Sequence, residues 1–260
     1  MTTILITGAN RGIGFDLARE ALNKGWQVYG SVRTEAQAEQ TAAELGSGFT
    51  PLVFDVTDRA AMSAAAASLD ATIDILINNA GTIGPPDANQ TTLNMDFDGF
   101  ARTLEINTLA PLAVAQAFLP HLRKSENGRI LTVSSQMAWM GYAKSDRIAY
   151  RASKAAVNKV MQGLATDLAP EGISVCLIDP GWVRTDMGGP GATLPGRSRE
   201  RDCCDRGRAH PCPHGPVHRV DRERAGVLAK ASRLHSSARP CPSPCPPGGH
   251  GPTSSRNWSR

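Results

Sequence analysis

Cysteine is scarce in residues 1–195 of this 260-residue chain, where Cys176 is the only one. The other five come later: Cys203, Cys204, Cys212, Cys241 and Cys245. One cysteine in so long a segment excludes a disulfide framework there and is typical of a reducing compartment. We therefore expect a cytoplasmic protein.

Long apolar runs are missing as well. No stretch approaches the ~20 consecutive apolar residues that cross a bilayer. The run from Ile4 to Ile6 ends before Gly8 and is too short for the apolar region of a signal peptide. We expect neither a membrane protein nor an exported one.

Positive charge is also sparse in residues 1–195, which carry 15 Lys and Arg against 19 Asp and Glu, a net charge of −4. In residues 196–260 the counts are 13 and 5, a net charge of +8. The overall charge of +4 therefore comes from the C-terminal part. Nothing in residues 1–195 indicates a nucleic-acid partner.

Residues 196–260 contain no Ile, Phe, Tyr or Met, but nine prolines. Such a composition cannot offset the entropy lost on ordering, so we expect a low-complexity, disordered tail. The cysteines and histidines that cluster in the tail do not indicate a zinc site, because their spacing matches no zinc motif. They are Cys203, Cys204, Cys212, His214 and His218. The positive charge of the tail would suit nucleic-acid binding, but aromatic residues are not interleaved with the basic ones, as such binding requires.

A reading-frame shift near Pro195–Gly196 explains the change of composition best. With suitable codons, the segment from Glu200 becomes an apolar, helix-like stretch when it is read one base later. The segment from His214 becomes strand-like in the same frame. We therefore expect the coding DNA to restore a helix and a strand there.

Apolar and amphipathic segments alternate along residues 1–195. Short apolar runs predict buried parallel strands at Ile4–Ile6, Gln27–Val32, Thr50–Phe54, Ile73–Ile77, Arg129–Val133 and Ser174–Ile178. Helices are predicted between them, including a long one from Asp98 to Leu122 that Pro111 kinks. The pattern predicts an α/β fold with a Rossmann-type doubly wound parallel sheet.

The first predicted strand ends in Thr7-Gly-Ala-Asn-Arg-Gly-Ile-Gly14. Glycines at this point allow a tight turn and a close approach of the backbone to a pyrophosphate. The helix that follows offers its first N–H groups to the same anion. The context predicts a dinucleotide-binding turn.

Six further motifs follow in order: Asp55-Val56, Asn78-Asn-Ala-Gly81, Asn107, Val133-Ser-Ser135, Tyr150-Arg-Ala-Ser-Lys154 and Pro180-Gly-Trp-Val-Arg-Thr185. With these motifs, residues 1 to about 195 resemble the short-chain dehydrogenase/reductase family. The resemblance implies an NAD(P)-dependent oxidoreductase acting on a carbonyl or secondary alcohol. It also implies the catalytic residues Asn107, Ser135, Tyr150 and Lys154.

Tyr150 and Lys154 are four residues apart and share one face of a helix. We expect the lysine cation to lower the pKa of the phenol from about 10 toward neutrality. Tyr150 would then exchange a proton with the substrate oxygen while hydride moves to or from a nicotinamide. By the resemblance, Ser135 binds the same oxygen, with Ser134 as the alternative, and Asn107 supports a water chain to Lys154.

The resemblance implies a cofactor site built from Gly8, Asn10, Arg11, Gly12, Ile13, Gly14, Arg33, Asp55, Val56, Asn79, Ala80, Gly81, Tyr150, Lys154, Pro180, Gly181, Val183 and Thr185. The second predicted strand ends in Ser31-Val-Arg33, without the carboxylate that repels a 2′-phosphate. Arg33 and Arg11 are suited to pair with that phosphate. We expect NADP(H) to be preferred over NAD(H), and no metal.

Trp139, Met140 and Tyr142, in the loop before the Tyr150 helix, indicate a bulky, apolar small-molecule substrate. The resemblance implies a further helix and a last edge strand after Thr185, but the tail offers no suitable segment, so we expect both to be lacking. It also implies a homo-oligomer, but the altered C-terminal part removes surface that the family uses for subunit contacts. For the same reason we expect impaired activity. The alternative function is a nucleotide-binding signalling or scaffold protein on the same fold.

Overall fold

The computed structural model describes residues 1–183 and the backbone of residues 217–219. Within these residues, seven parallel strands form one sheet in the order β3-β2-β1-β4-β5-β6-β7. Their bounds are Thr3–Thr7 (β1), Gln27–Val32 (β2), Phe49–Val53 (β3), Ile75–Asn78 (β4), Arg129–Val133 (β5), Ser174–Asp179 (β6) and Val217–Arg219 (β7). The order reverses between β1 and β4, which confirms the predicted doubly wound sheet.

The sheet is buried on both faces by the α-helices of the described part. Their bounds are Gly12–Asn23 (α1), Glu35–Leu45 (α2), Arg59–Ala67 (α3), Phe97–Leu104 (α4), Ala110–Leu122 (α5) and Ile148–Leu168 (α6). Along β1, Ile4 and Ile6 pack in one apolar cluster with α1, whereas Leu5 packs in a second cluster with α3 and α5. Burial of alternate residues on opposite faces explains why the strand reads as a continuous apolar run. In the described residues, no helix combines the length and the apolar character needed to cross a membrane.

The predicted long helix from Asp98 to Leu122 is wrong in one respect. It is divided into α4 and α5 by a π-helical turn, Glu105–Leu109. Pro111 has no N–H for the carbonyl of Asn107 four residues earlier, and its ring would clash with that carbonyl. The backbone therefore widens just before the proline.

The tail adds one short strand to the six that the sequence predicts. Three residues of the tail, Val217–Arg219, pair in parallel with Leu177–Asp179 of β6. Pairing at an open sheet edge uses backbone N–H and C=O groups, so it does not require an apolar segment. The predicted absence of the last helix, the disorder of the tail and the reading-frame shift concern residues outside the described ones.

Candidate active site at the carboxyl ends of the strands

A cleft of about 1010 Å³ runs along the carboxyl ends of the strands, across the point where the strand order reverses. Ligands of doubly wound sheets bind at this position. Most of the predicted site residues line it: Gly8, Asn10, Arg11, Gly12, Ile13, Arg33, Asp55, Val56, Asn79, Ala80, Gly81, Ser135, Tyr150, Lys154, Pro180, Gly181 and Val183. Gly14 and Asn107 lie outside this lining, and Thr185 lies outside the described residues.

The turn between β1 and α1 has the backbone that its glycines predict. Gly8 and Gly12 have φ values of 66° and 55°, a region that favours glycine. Arg11 stands at the N-cap of α1, and its side chain makes no capping hydrogen bond. In contrast, α2, α3 and α4 are each capped by a side chain, from Thr34, Asp58 and Asp96 respectively. The first turn of α1 therefore presents its N–H groups to the cleft without a side-chain acceptor.

Gly14 holds α1 close to the end of β1. A Cβ atom at this position would lie 2.2 Å from the Gly8 carbonyl oxygen and 2.5 Å from Asn79 Nδ2. Asn79 Nδ2 donates to the carbonyl oxygens of Thr7 (2.9 Å) and Gly8 (3.2 Å). Thr7 Oγ1 accepts from the backbone N–H groups of Asn79 and Ala80, both at 3.0 Å. These contacts join the glycine turn to the loop after β4.

A carboxylate and two arginines lie at the β2 end of the cleft. Burial would raise the pKa of Asp55, but the hydrogen bonds from Thr57 and the charges of Arg33 and Arg102 together outweigh it. The pKa of Asp55 is therefore below its usual value, and the group is ionised at neutral pH. Arg33 is exposed, directly after β2. Arg102 was not predicted as a site residue, because α4 brings it to the cleft from a distant part of the chain.

Ser135, rather than Ser134, faces the predicted catalytic tyrosine. The Ser135 side chain lies close enough to the Tyr150 phenol to lower its pKa, and Ser135 Oγ accepts from Met137 N at 3.1 Å. Ser134 is buried, and its Oγ donates to Asn158 Oδ1 at 2.5 Å. Ser135 therefore lies next to the tyrosine, whereas the Ser134 hydroxyl is engaged elsewhere.

The predicted effect of Lys154 on Tyr150 is wrong for this geometry. Burial raises the pKa of the Tyr150 phenol, and the hydrogen bond with Ser135 offsets this only in part. The charge of Asp179 raises the pKa further, while that of Arg147 lowers it. Lys154 Nζ donates to the Val133 carbonyl oxygen at 2.7 Å and lies 5.8 Å from the centroid of the Tyr150 ring. Desolvation therefore dominates over the lysine charge.

Lys154 is itself buried, which lowers its pKa to about 8. A cation without water is destabilised relative to the neutral amine, which explains the direction. At pH 7 the ammonium form still predominates. Helix α6 thus places a buried, charged lysine beside the Tyr150 ring, and β5 supplies the carbonyl group that accepts its hydrogen bond.

Asn107 supports the site from behind the cleft. It lies in the π-helical turn, where Oδ1 accepts from Thr82 N and Nδ2 donates to Thr82 O, both at 2.8 Å. Nδ2 also donates to Ser153 Oγ at 2.9 Å, and Ser153 Oγ donates to the Tyr150 carbonyl oxygen at 2.8 Å. Ser153 was missed by the sequence analysis, although its place within the Tyr150–Lys154 motif was a signal. The predicted water chain is left untested by these contacts.

Two aromatic side chains form an apolar part of the cleft wall. Tyr142 lines the cleft as predicted. Trp182 also lines it, although it was not predicted as a site residue. Trp139 and Met140 are exposed and do not belong to the lining. The Arg151 guanidinium lies over the Tyr142 ring, 5.0 Å from its centroid, and holds this loop against α6.

Comparisons with known proteins agree with this geometry. The family model for short chain dehydrogenase matches residues 2–192. The protein C-signal of Myxococcus xanthus is 47% identical over 125 residues, which cover 47% of this chain and 73% of that protein. The chain belongs to the short-chain dehydrogenase/reductase family, whose members are oxidoreductases.

Two solved structures extend the comparison. A short-chain dehydrogenase/reductase of Burkholderia multivorans with bound NADP has a TM-score of 0.68 and 34% identity, covering 74% of this chain and 84% of its own. The carbonyl reductase Sniffer of D. melanogaster has a TM-score of 0.69 and 32% identity, covering 75% of this chain and 86% of its own. Both share the fold over nearly the whole described part.

Proposed function

We propose that this protein reduces a ketone or aldehyde with NADPH, and that Tyr150 donates the proton. One observation carries the proposal: the Tyr150 phenol, the Ser135 hydroxyl and the buried Lys154 meet in the same cleft as the glycine turn. The glycine turn would hold a dinucleotide at one end of this cleft, with Tyr150 as the proton donor at the other end. The similarity to proteins named as a carbonyl reductase and as an NADP-bound family member supports this.

The residues present fit a phosphorylated dinucleotide. The uncapped first turn of α1 suits a pyrophosphate, and the tight packing around Gly14 keeps it next to β1. Arg11, Arg33 and Arg102 line the cleft. Asp55 balances part of this charge but lies beyond β3, and the end of β2 carries no carboxylate. The cations favour a 2′-phosphate, so NADP(H) is the preferred cofactor and NAD(H) the second choice.

The chemistry follows from the protonation states. NADPH, when bound, supplies the hydride. The raised pKa keeps Tyr150 protonated at neutral pH, the form that donates to a carbonyl oxygen. Ser135 donates a hydrogen bond to the same oxygen. After the proton has left, the nearby Lys154 ammonium stabilises the phenolate, and the low polarity of its surroundings strengthens this attraction. The high pKa of Tyr150 favours reduction over alcohol oxidation.

The cleft wall suggests the kind of carbonyl compound. Tyr142 and Trp182 provide apolar, aromatic surface. We infer that the substrate is a small molecule with an aromatic or bulky apolar group next to the carbonyl carbon. A cytoplasmic location fits the single cysteine of residues 1–195.

The similarity to a protein named C-signal favours a second candidate. On that alternative the chain is a nucleotide-binding signalling or scaffold protein. It would bind NADPH but would not turn over a ketone. Turnover of the unmodified chain distinguishes the two.

The substitution Arg33→Ser tests the cofactor proposal. It should weaken NADPH binding about 10- to 100-fold, because charged hydrogen bonds to a phosphate contribute about 1.5–3 kcal/mol. The affinity for NADH should change by less than about threefold, since NADH has no 2′-phosphate. Nicotinamide fluorescence titration measures both dissociation constants.

Arg123→Ser is the matched control. Arg123 follows α5 and is bonded to Glu171, so its loss changes the net charge equally and far from the cleft. Its NADPH affinity should stay that of the unmodified chain. Equal weakening of NADPH and NADH binding by Arg33→Ser would contradict the assignment of Arg33 to the 2′-phosphate.

A further inference from the structure

Helix α6, which carries Tyr150, begins without a cap of its own. Its N-cap residue, Arg147, has a left-handed backbone with φ 52° and makes no side-chain capping hydrogen bond. The first turn contains no acidic residue either. The N–H groups of Ile148 and Tyr150 in this turn therefore depend on partners from elsewhere in the fold.

Gln90 supplies those partners from a distant loop. The Gln90 carbonyl oxygen accepts from Ile148 N at 2.8 Å, and Gln90 Oε1 accepts from Tyr150 N at 3.4 Å. The side chain is completely buried, at 0% exposure. Burying a glutamine side chain costs free energy unless its amide is hydrogen-bonded, and here both the oxygen and the nitrogen of the amide have partners.

The other end of the same amide holds the loop after β4. Gln90 Nε2 donates to the carbonyl oxygens of Pro85 at 2.6 Å and of Ile83 at 3.3 Å. Ile83 lines the cleft. One amide group thus joins the wall of the cofactor cleft to the backbone of Tyr150.

A second link runs beside the first. Arg147 Nε and Nη2 bind the Asp87 carboxylate at 3.0–3.2 Å, three residues before Gln90 in the chain. Both links cross from the segment 83–90 to the start of α6. The segment therefore fixes where α6 begins, independently of the Ser153 contacts farther along the helix.

We propose that Gln90 is a positioning residue for Tyr150: its amide caps α6 from outside and fixes the tyrosine relative to the loop that borders the cofactor. The inference rests on the proposed function of Tyr150 as proton donor. Without the Gln90 amide, the first turn of α6 loses an acceptor and the phenol is held less precisely. Proton transfer then becomes slower, while the glycine turn and Arg33, which make no contact with Gln90, keep their places in the cofactor site.

The test uses Gln90→Met, which keeps the side-chain length and removes the hydrogen bonds. With NADPH and the fastest ketone among acetophenone, benzil and butanone, kcat should fall about tenfold, because small displacements of a reacting group are costly. NADPH affinity and KM should change by less than about threefold. The solvent deuterium isotope effect on kcat should increase, because proton transfer becomes more rate-limiting. Gln90→Asn, whose amide is one methylene too short to join both sides, should act in the same direction.

Two control variants separate positioning from general destabilisation. Gln162→Met makes the same exchange at an exposed site on α6 and should leave kcat and the isotope effect unchanged. Met62→Ala opens a cavity in the core beneath α3, so it should lower the thermal midpoint without changing the isotope effect. An isotope effect that rises equally in Met62→Ala, or a kcat unchanged in both Gln90 variants, would overturn the proposal.

Amide hydrogen exchange provides a readout that needs no substrate. The N–H group of Tyr150, which bonds to the Gln90 side chain, should exchange faster in Gln90→Met than in the unmodified chain, while those in the middle of α6 keep their protection. Unchanged exchange at Tyr150 would overturn the capping role, whatever the activity. Absence of turnover in the unmodified chain would instead count against the proposed function.

Discussion

Tyr150→Phe should lower kcat for ketone reduction about 10³-fold, within the range that a positioned general acid contributes. The substitution removes one oxygen atom and with it the proton donor. The ring remains, so the packing of the buried side chain and its distance from Lys154 should be preserved. The dissociation constant of NADPH should therefore change by less than about threefold. Steady-state NADPH consumption and fluorescence titration measure the two quantities.

Tyr29→Phe serves as the matched control for this loss. Tyr29 lies in β2 and packs on the second apolar cluster, away from the cleft lining. Its kcat should stay within about twofold of the unmodified chain. If Tyr150→Phe retained a comparable turnover with NADPH bound, Tyr150 could not be the proton donor.

Gly14→Ala should weaken NADPH binding about 10- to 100-fold and destabilise the protein by about 1–3 kcal/mol. The new Cβ atom would lie 2.2 Å from the Gly8 carbonyl oxygen, which is backbone and cannot rotate away. Helix α1 must therefore move from β1, and its first N–H groups move away from the pyrophosphate position. Thermal unfolding and NADPH titration of the same preparations give both effects.

Gly163→Ala makes the same exchange where the structure leaves room. Gly163 lies within α6, and a Cβ atom there would meet no atom within 4 Å. Alanine is the better helix former, so this variant should gain roughly 0.5–1 kcal/mol. Opposite signs at the two glycines are expected. A Gly14→Ala protein as stable as the unmodified chain, with full NADPH affinity, would contradict the close packing of α1.

The sequence was sufficient for the sheet and for most of the cleft. Each strand of residues 1–183 is an apolar run with a motif residue at its carboxyl end, and parallel strands bring those ends to one edge. The order of motifs along the chain was therefore enough to predict that Gly8, Asn79, Ser135 and Pro180 lie in one cleft.

Features that depend on long-range packing could not be found in this way. The pKa of Tyr150 depends on how deeply α6 buries it, which helical spacing to Lys154 does not reveal. Arg102 and Gln90 belong to no motif and reach the site through the course of the chain after β4. The missing N–H of Pro111 explains the π-helical turn before it, but the sequence alone could not distinguish such a turn from a simple kink at the proline.

The most direct test of the account is transfer of a labelled hydride. NADPH carrying deuterium at both hydrogen positions of C4 of the nicotinamide is incubated with the purified chain and the ketone that it reduces fastest, and the product alcohol is examined by mass spectrometry and NMR. The account predicts deuterium on the carbinol carbon with the unmodified chain, and a loss of product in proportion to kcat with Tyr150→Phe. NADPH that binds in the cleft but leaves no deuterium in any alcohol would contradict it.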